Sequence, residues 1–313
     1  MNSKATMHTY LNDGTTAAPR LEIHLNLDTL RDLPPASSCA ALSGEQQMQQ
    51  LAKDGFQGVQ VTHQEPLTYE AAMPHCGLDR VSVPGEADRI FARHADRGDR
   101  CLTLHVGWGT EDDAAADRLI EEILRASEAH ALPAFIETHR ATITQDMWRT
   151  VQLTRRFPEI RFNGDFSHYY SGQEMEYGDF EGKLDFMQPI FDRTAFLHGR
   201  IASRGSIQAP IEAIDQRPRH CTGQHEDYLE NFKRIWTRVM AAFRRQAAPG
   251  DLLVFAPELL SAEYDYARRV PAADGRLVEE SDRYAEALLY RDLARQCFAA
   301  GASPNHPKPQ TSI

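Results

Sequence analysis

The chain has 313 residues, 42% hydrophobic and 25% charged, enough for a large core in one or two globular domains. Lys and Arg number 34 against 45 Asp and Glu, a formal net charge of -11 that repels phosphate backbones and anionic membranes, so neither nucleic acid nor a membrane is expected as a partner. No stretch approaches the ~18 apolar residues of a transmembrane helix. The opening MNSKATMHTYLNDGTTAAPR has no apolar signal core, and the five scattered cysteines (Cys39, Cys76, Cys101, Cys221, Cys297) contain no C-x-x-C pair, which suits free thiols in the cytoplasm.

In chain order, short runs rich in Val, Ile, Leu and Phe alternate with longer amphipathic stretches, the pattern of β-α units repeated around a parallel sheet. Eight strands are predicted: Leu21–Leu27, Gly58–Thr62, Leu78–Val83, Leu102–Gly107, Ala134–Thr138, Ile160–Phe166, Ala195–Ile201 and Leu252–Glu258. The clearest helices are Asp112–His130, with acids in its first turn, Thr144–Arg156, opened by Thr144 as N-cap and stopped before Pro158, and Glu226–Gln246. Eight strands over roughly 250 residues, each a helix apart, predict a single-domain α/β fold, the (β/α)8 TIM barrel, over residues 20–300. Residues 1–19 and 301–313 are expected to be flexible ends. G-x-G-x-x-G and G-x-x-x-x-G-K-[ST] are both absent from the sequence.

In such a barrel the active site is built at the C-terminal ends of the strands, so the informative residues are the polar ones where each apolar run stops. Strand four carries His105, strand five ends on Glu137 and His139, strand six on Asp165 with His168 beyond it, strand seven on His198 and Arg200, and strand eight on Glu258. Glu137, Asp165, His198 and Glu258 come from four consecutive strands and are expected to converge. Three carboxylates and one imidazole make a hard, oxygen-rich site suited to Mn²⁺, Mg²⁺ or Co²⁺, and a divalent cation would relieve the mutual repulsion of the carboxylates.

With a strand-end Glu, an Asp-x-x-His (Asp165 to His168), a strand-end His and a final strand-end Glu, the chain resembles the xylose isomerase-like barrels of the sugar phosphate isomerase/epimerase family, over about residues 20–295. The resemblance implies one divalent metal ion, manganese first with Mg²⁺, Co²⁺ and Zn²⁺ as alternatives, held by Glu137, Asp165, His198 and Glu258. It makes Glu137 and Glu258 the acid/base pair and has His168 contact substrate oxygens. Arg204 matches an arginine that contacts substrate in the epimerases, and His105 and Arg200 are further candidates for substrate binding. The partner implied is a small-molecule sugar or sugar derivative, and a homo-oligomer is compatible with the family. Two departures stand out: Ile143 occupies the place of a further glutamate of the epimerases, and Glu137-Thr-His-Arg differs from their E-x-x-N-R pattern.

The expected reaction is isomerisation or epimerisation, by abstraction of a proton next to a carbonyl and passage through an enediolate. Loss of a β-hydroxyl would turn the same chemistry into a dehydratase or lyase. An endonuclease IV-like phosphodiesterase is disfavoured, because strand three ends RVSVPGE without a histidine and no Asp-x-His follows His198. A non-catalytic sugar-binding barrel is the non-enzyme reading. His24 and His63 are read as core and loop residues, and Tyr169-Tyr170 as loop packing.

Overall fold

The computed structural model describes residues 10–62, 67–221 and 227–302. His63 and Glu226, the first residue of the last helix read from the sequence, lie outside them. Eight parallel strands close into a barrel: β1 (Arg20–Asn26), β2 (Gly58–Thr62), β3 (His75–Val81), β4 (Leu102–Val106), β5 (Ala134–Glu137), β6 (Phe162–Gly164), β7 (Thr194–Gly199) and β8 (Asp251–Pro257). Each pairs with the next, and β8 also pairs with β1 through Arg20–Leu252 and its successors, so the barrel strands leave no edge to cover.

Nine α-helices are described: α1 (Gly44–Lys53), α2 (Ala87–Arg97), α3 (Asp113–Ala129), α4 (Met147–Arg156), α5 (Ser167–Gly172), α6 (Phe180–Phe186), α7 (Gln188–Phe191), α8 (Tyr228–Gln246) and α9 (Arg283–Ala300). Their starts follow local chemistry. Asp112, Asp146, Asp227 and Asp282 each accept backbone N–H groups that the first turn leaves unpaired, and Ser43 with Gln46 forms a reciprocal capping box on α1. Between helices and barrel lies the apolar layer; Trp236 of α8, wholly buried, packs edge-on against Phe255 of β8 at 5.0 Å and Tyr290 of α9 at 5.9 Å.

Three expectations need correction. The third strand runs His75–Val81, not Leu78–Val83: Glu86 Oε2 captures the amides of Ser82 and Val83 and turns the chain out of the sheet ahead of α2. The sixth strand is only Phe162–Gly164, shortened by a bulge after Phe162 and by Asp165, which accepts from Ser167 and opens α5. The cap of α4 is Asp146 and not Thr144, whose hydroxyl instead donates to the Glu137 carbonyl and braces the end of β5. Within the N-terminal stretch, Leu11–Asn12 form a two-residue strand antiparallel to Asp251–Leu252, and Tyr10 is buried.

Candidate metal centre

Alternation along the strands aims every second side chain into the barrel, and near the C-terminal end those side chains are polar. Glu137 ends β5, Asp165 follows β6 by one residue, His198 is the penultimate residue of β7, and Glu258 follows β8 directly. One ligand atom from each lies within 4.8 Å of those of the other three, and all four residues are buried. The four sequence candidates are thus brought together.

His198 is the hub. Its Nδ1 lies 3.2 Å from Glu258 Oε2 and 3.5 Å from Glu137 Oε2. Its Nε2 donates to Gln60 Oε1 at 2.9 Å, which leaves Nδ1 turned to the carboxylates. Gln60 is itself held, accepting from Asn26 at 2.8 Å and donating to Thr103 Oγ1 at 2.8 Å. Asn26 also donates to Glu258 Oε1 at 3.0 Å, and Asn163 donates to Glu137 Oε2 at 3.1 Å. This amide layer, one step below the carboxylates, went unread in the sequence. Its signal was a polar residue inside a buried strand on the same face as the strand-end ligand.

The electrostatics follow from crowding. Burial opposes ionisation of Glu137, but His105 and His198 outweigh it and hold the carboxyl well below the usual range. Burial likewise opposes ionisation of Glu258, which His198 and Arg200 hold down. Asp165 is lifted to about 6, first by burial and then by the charges of Glu137 and Glu258 against the pull of Arg200. Burial would depress the His198 imidazolium, yet Glu258 and Glu137 raise it to about 10. A divalent ion on Nδ1 would stand where that proton stands, and the donor set of three carboxylates and one imidazole fits such an ion.

The other candidates fall around this centre. His105 Nε2 lies 3.2 Å from Glu137 Oε1, and His105 lines a cavity of about 300 Å³ together with Asp28, Arg31, Asp79, Arg80 and Tyr264. The cavity therefore adjoins the cluster on the Glu137 side. His168, the second residue of α5, is buried with Nε2 3.4 Å from Asp165 Oδ2; neither ring nitrogen has a hydrogen-bond partner, and burial keeps the ring neutral. His139 joins His105 and His168 into a row of rings with centroids 4.4 and 3.9 Å apart, and with His105 and Glu137 it forms a second close group. Arg200 reaches into the cluster itself. Arg204 engages Tyr177 OH at 3.0 Å and Glu176 at 4.0 Å in the segment after β7. Ile143, six residues beyond Glu137, is wholly buried. Tyr169 and Tyr170 are buried in α5, with hydroxyls bonded to Thr144 O and Asn231. His24 lies lower in the barrel between Glu22 and Cys76, and its ring passes over Gly58, where a Cβ would come within 2.5 Å of it.

No protein-family model matches the chain, and no curated protein matches it significantly. Among solved structures, a xylose isomerase-like TIM barrel protein from Mycobacterium smegmatis, in complex with magnesium, is similar at 12% identity and a TM-score of 0.51, over 96% of this chain and 100% of that one. A D-tagatose 3-epimerase-like protein aligns at 8% identity and a TM-score of 0.49, over 90% and 100% of the two chains. The probable 3-DHS dehydratase from Bacillus anthracis aligns at 13% and 0.48, over 76% and 92%. By its closed parallel barrel and the first of these likenesses, the chain has the fold of the xylose isomerase-like TIM barrels.

Proposed function

We propose that the chain is a divalent-metal-dependent isomerase or epimerase of a sugar or sugar phosphate, with Mn²⁺ as its ion. The observation that carries this reading is the convergence of Glu137, Asp165, His198 and Glu258 at the C-terminal mouth of the barrel. The magnesium held by the similar mycobacterial barrel is in keeping with it. When bound, such an ion supplies Lewis acidity toward a carbonyl and its neighbouring hydroxyl.

The side chains supply the proton chemistry. Glu137 and Glu258 approach His198 Nδ1 from two strands, and their neighbours keep both ionised, so each is ready to accept a proton from the carbon beside a carbonyl. His168, neutral and with two unpaired ring nitrogens, can both donate to and accept from substrate hydroxyls. The substrate enters from the cavity over the ends of β1 to β4, past His105. Burial of the cluster keeps water from the carbanion-like intermediate.

Ile143 favours a second reading. With an isoleucine where the epimerases carry a further glutamate, the return of the proton to carbon has one acid fewer to serve it, which leaves open a dehydratase in which the β-hydroxyl departs with the abstracted proton as water. Incubation with Mn²⁺ and a panel of ketoses, aldoses and their phosphates in D₂O tests the proposal. Deuterium is expected at the carbon beside the carbonyl, in an epimerised or isomerised product, or in a dehydrated one under the second reading. Turnover with neither solvent exchange nor internal transfer of that hydrogen contradicts both.

A further inference from the structure

Arg200 lies two residues beyond His198 and is 1% exposed. Its Nη2 contacts Glu258 Oε2 and lies 3.6 Å from Asp165 Oδ2, while its Nε donates to the Glu258 carbonyl at 3.1 Å. The guanidinium carbon sits 4.6 Å over the ring of Tyr266, and Nη1, although buried, has no hydrogen-bond partner.

The two acids have little choice of oxygen to offer an ion. Asp165 Oδ1 accepts from the amide and hydroxyl of Ser167, and Glu258 Oε1 accepts from Asn26. What remains is Glu258 Oε2, which Arg200 contacts, and Asp165 Oδ2, which is buried without a hydrogen-bond partner 3.6 Å from Arg200 Nη2. A divalent ion sits about 2.0–2.2 Å from carboxylate oxygens, so a guanidinium nitrogen in contact with Glu258 Oε2 would stand beside it, cation against cation. Charge points the same way. Both cations answer the same surplus of three buried carboxylates, of which a guanidinium offsets one charge and a divalent ion two.

We infer that Arg200 is a resident counter-cation of the metal centre, competing with the divalent ion for Glu258 and its neighbour Asp165 and displaced from those carboxylates when the ion binds. Arg200 lets three buried carboxylates fold together before the ion arrives, since an uncompensated buried charge is strongly destabilising. Once displaced, its guanidinium becomes available to an oxygen of the substrate. A scaffold role, in which Arg200 merely holds the acids in place for the ion, has the opposite consequence for affinity.

The inference rests on the metal-centre reading, and calorimetric titration of Mn²⁺ into the full chain and into Arg200→Met separates the two. Competition requires the variant to bind Mn²⁺ at least about tenfold more tightly, and to melt below wild type in chelator while recovering with Mn²⁺. Equal or weaker binding by the variant overturns the inference and leaves the metal centre standing; no binding by either protein overturns both. If Arg200→Met does not fold, Arg200→Lys provides the assignment of the Arg200 Nε–H resonance in the ¹⁵N-labelled wild-type protein. That resonance must shift on Mg²⁺ addition, and a resonance that stays in place through saturation overturns the displacement.

Discussion

Gln60 on β2 reaches across the barrel to His198 on β7, its Oε1 accepting from Nε2 at 2.9 Å. This bond fixes the ring so that Nδ1 faces Glu137 and Glu258, the arrangement that a metal-binding imidazole requires of its outer partner. Gln60→Leu is expected to lower Mn²⁺ affinity by about 10–100-fold, the usual cost of losing such a partner. Asn26 and Thr103 lose a partner too, so stability should fall by about 1–3 kcal/mol. Titration calorimetry and urea unfolding measure the two effects; unchanged affinity would show that His198 is oriented by something else.

His168 separates substrate chemistry from metal binding. It touches Asp165 only at 3.4 Å and leaves both ring nitrogens unpaired. His168→Ala is expected to reduce kcat by about 100-fold or more, as loss of a positioned proton-transfer or hydrogen-bonding group does, with Mn²⁺ affinity unchanged. Parallel loss of both would make His168 a support of Asp165.

The convergence of the four candidate ligands was legible because an apolar strand has a definite end, and the first polar residue past it in a TIM barrel stands at the mouth. Glu137 after Phe135-Ile136 and Glu258 after Phe255-Ala256-Pro257 are read that way without further help. Asn26, Gln60, Asn163 and Thr103 were not, since a single polar residue inside a strand looks the same whether it faces a ligand or a neighbouring backbone. Arg200 was legible as a residue of the mouth but not as a partner of Asp165 and Glu258, because that contact depends on which carboxylate oxygens Ser167 and Asn26 have already taken. The third strand was misplaced for a similar reason: the side chain of Glu86, remote from the apolar run, decides where it stops.

Glu286 on α9 gives the fold a pH dependence away from the site. It accepts from the Ile211 amide at 2.9 Å and from Ser281 Oγ at 2.6 Å. Burial above all, with Glu212 and Asp282 adding to it against those two hydrogen bonds, lifts its pKa from 4.5 to about 7. The folded chain then holds a proton that the unfolded chain releases between those values, so the stabilisation is complete below pH 4.5 and lost as pH rises through 7. Glu286→Gln keeps an oxygen for Ile211 and removes the titration. Relative to wild type it should gain up to ~3 kcal/mol between pH 5 and pH 8. Urea unfolding at the two pH values checks this, and a difference that does not grow with pH would place the titration elsewhere.

The claim on which the rest depends is that Glu137, Asp165, His198 and Glu258 together hold one divalent ion. Metal content by mass spectrometry, on protein loaded with Mn²⁺ and dialysed without chelator, tests it against the quadruple variant Glu137→Gln, Asp165→Asn, His198→Gln, Glu258→Gln. Wild type is expected to retain one Mn²⁺ per chain and the variant none, with matching circular dichroism; equal metal in both would contradict the claim.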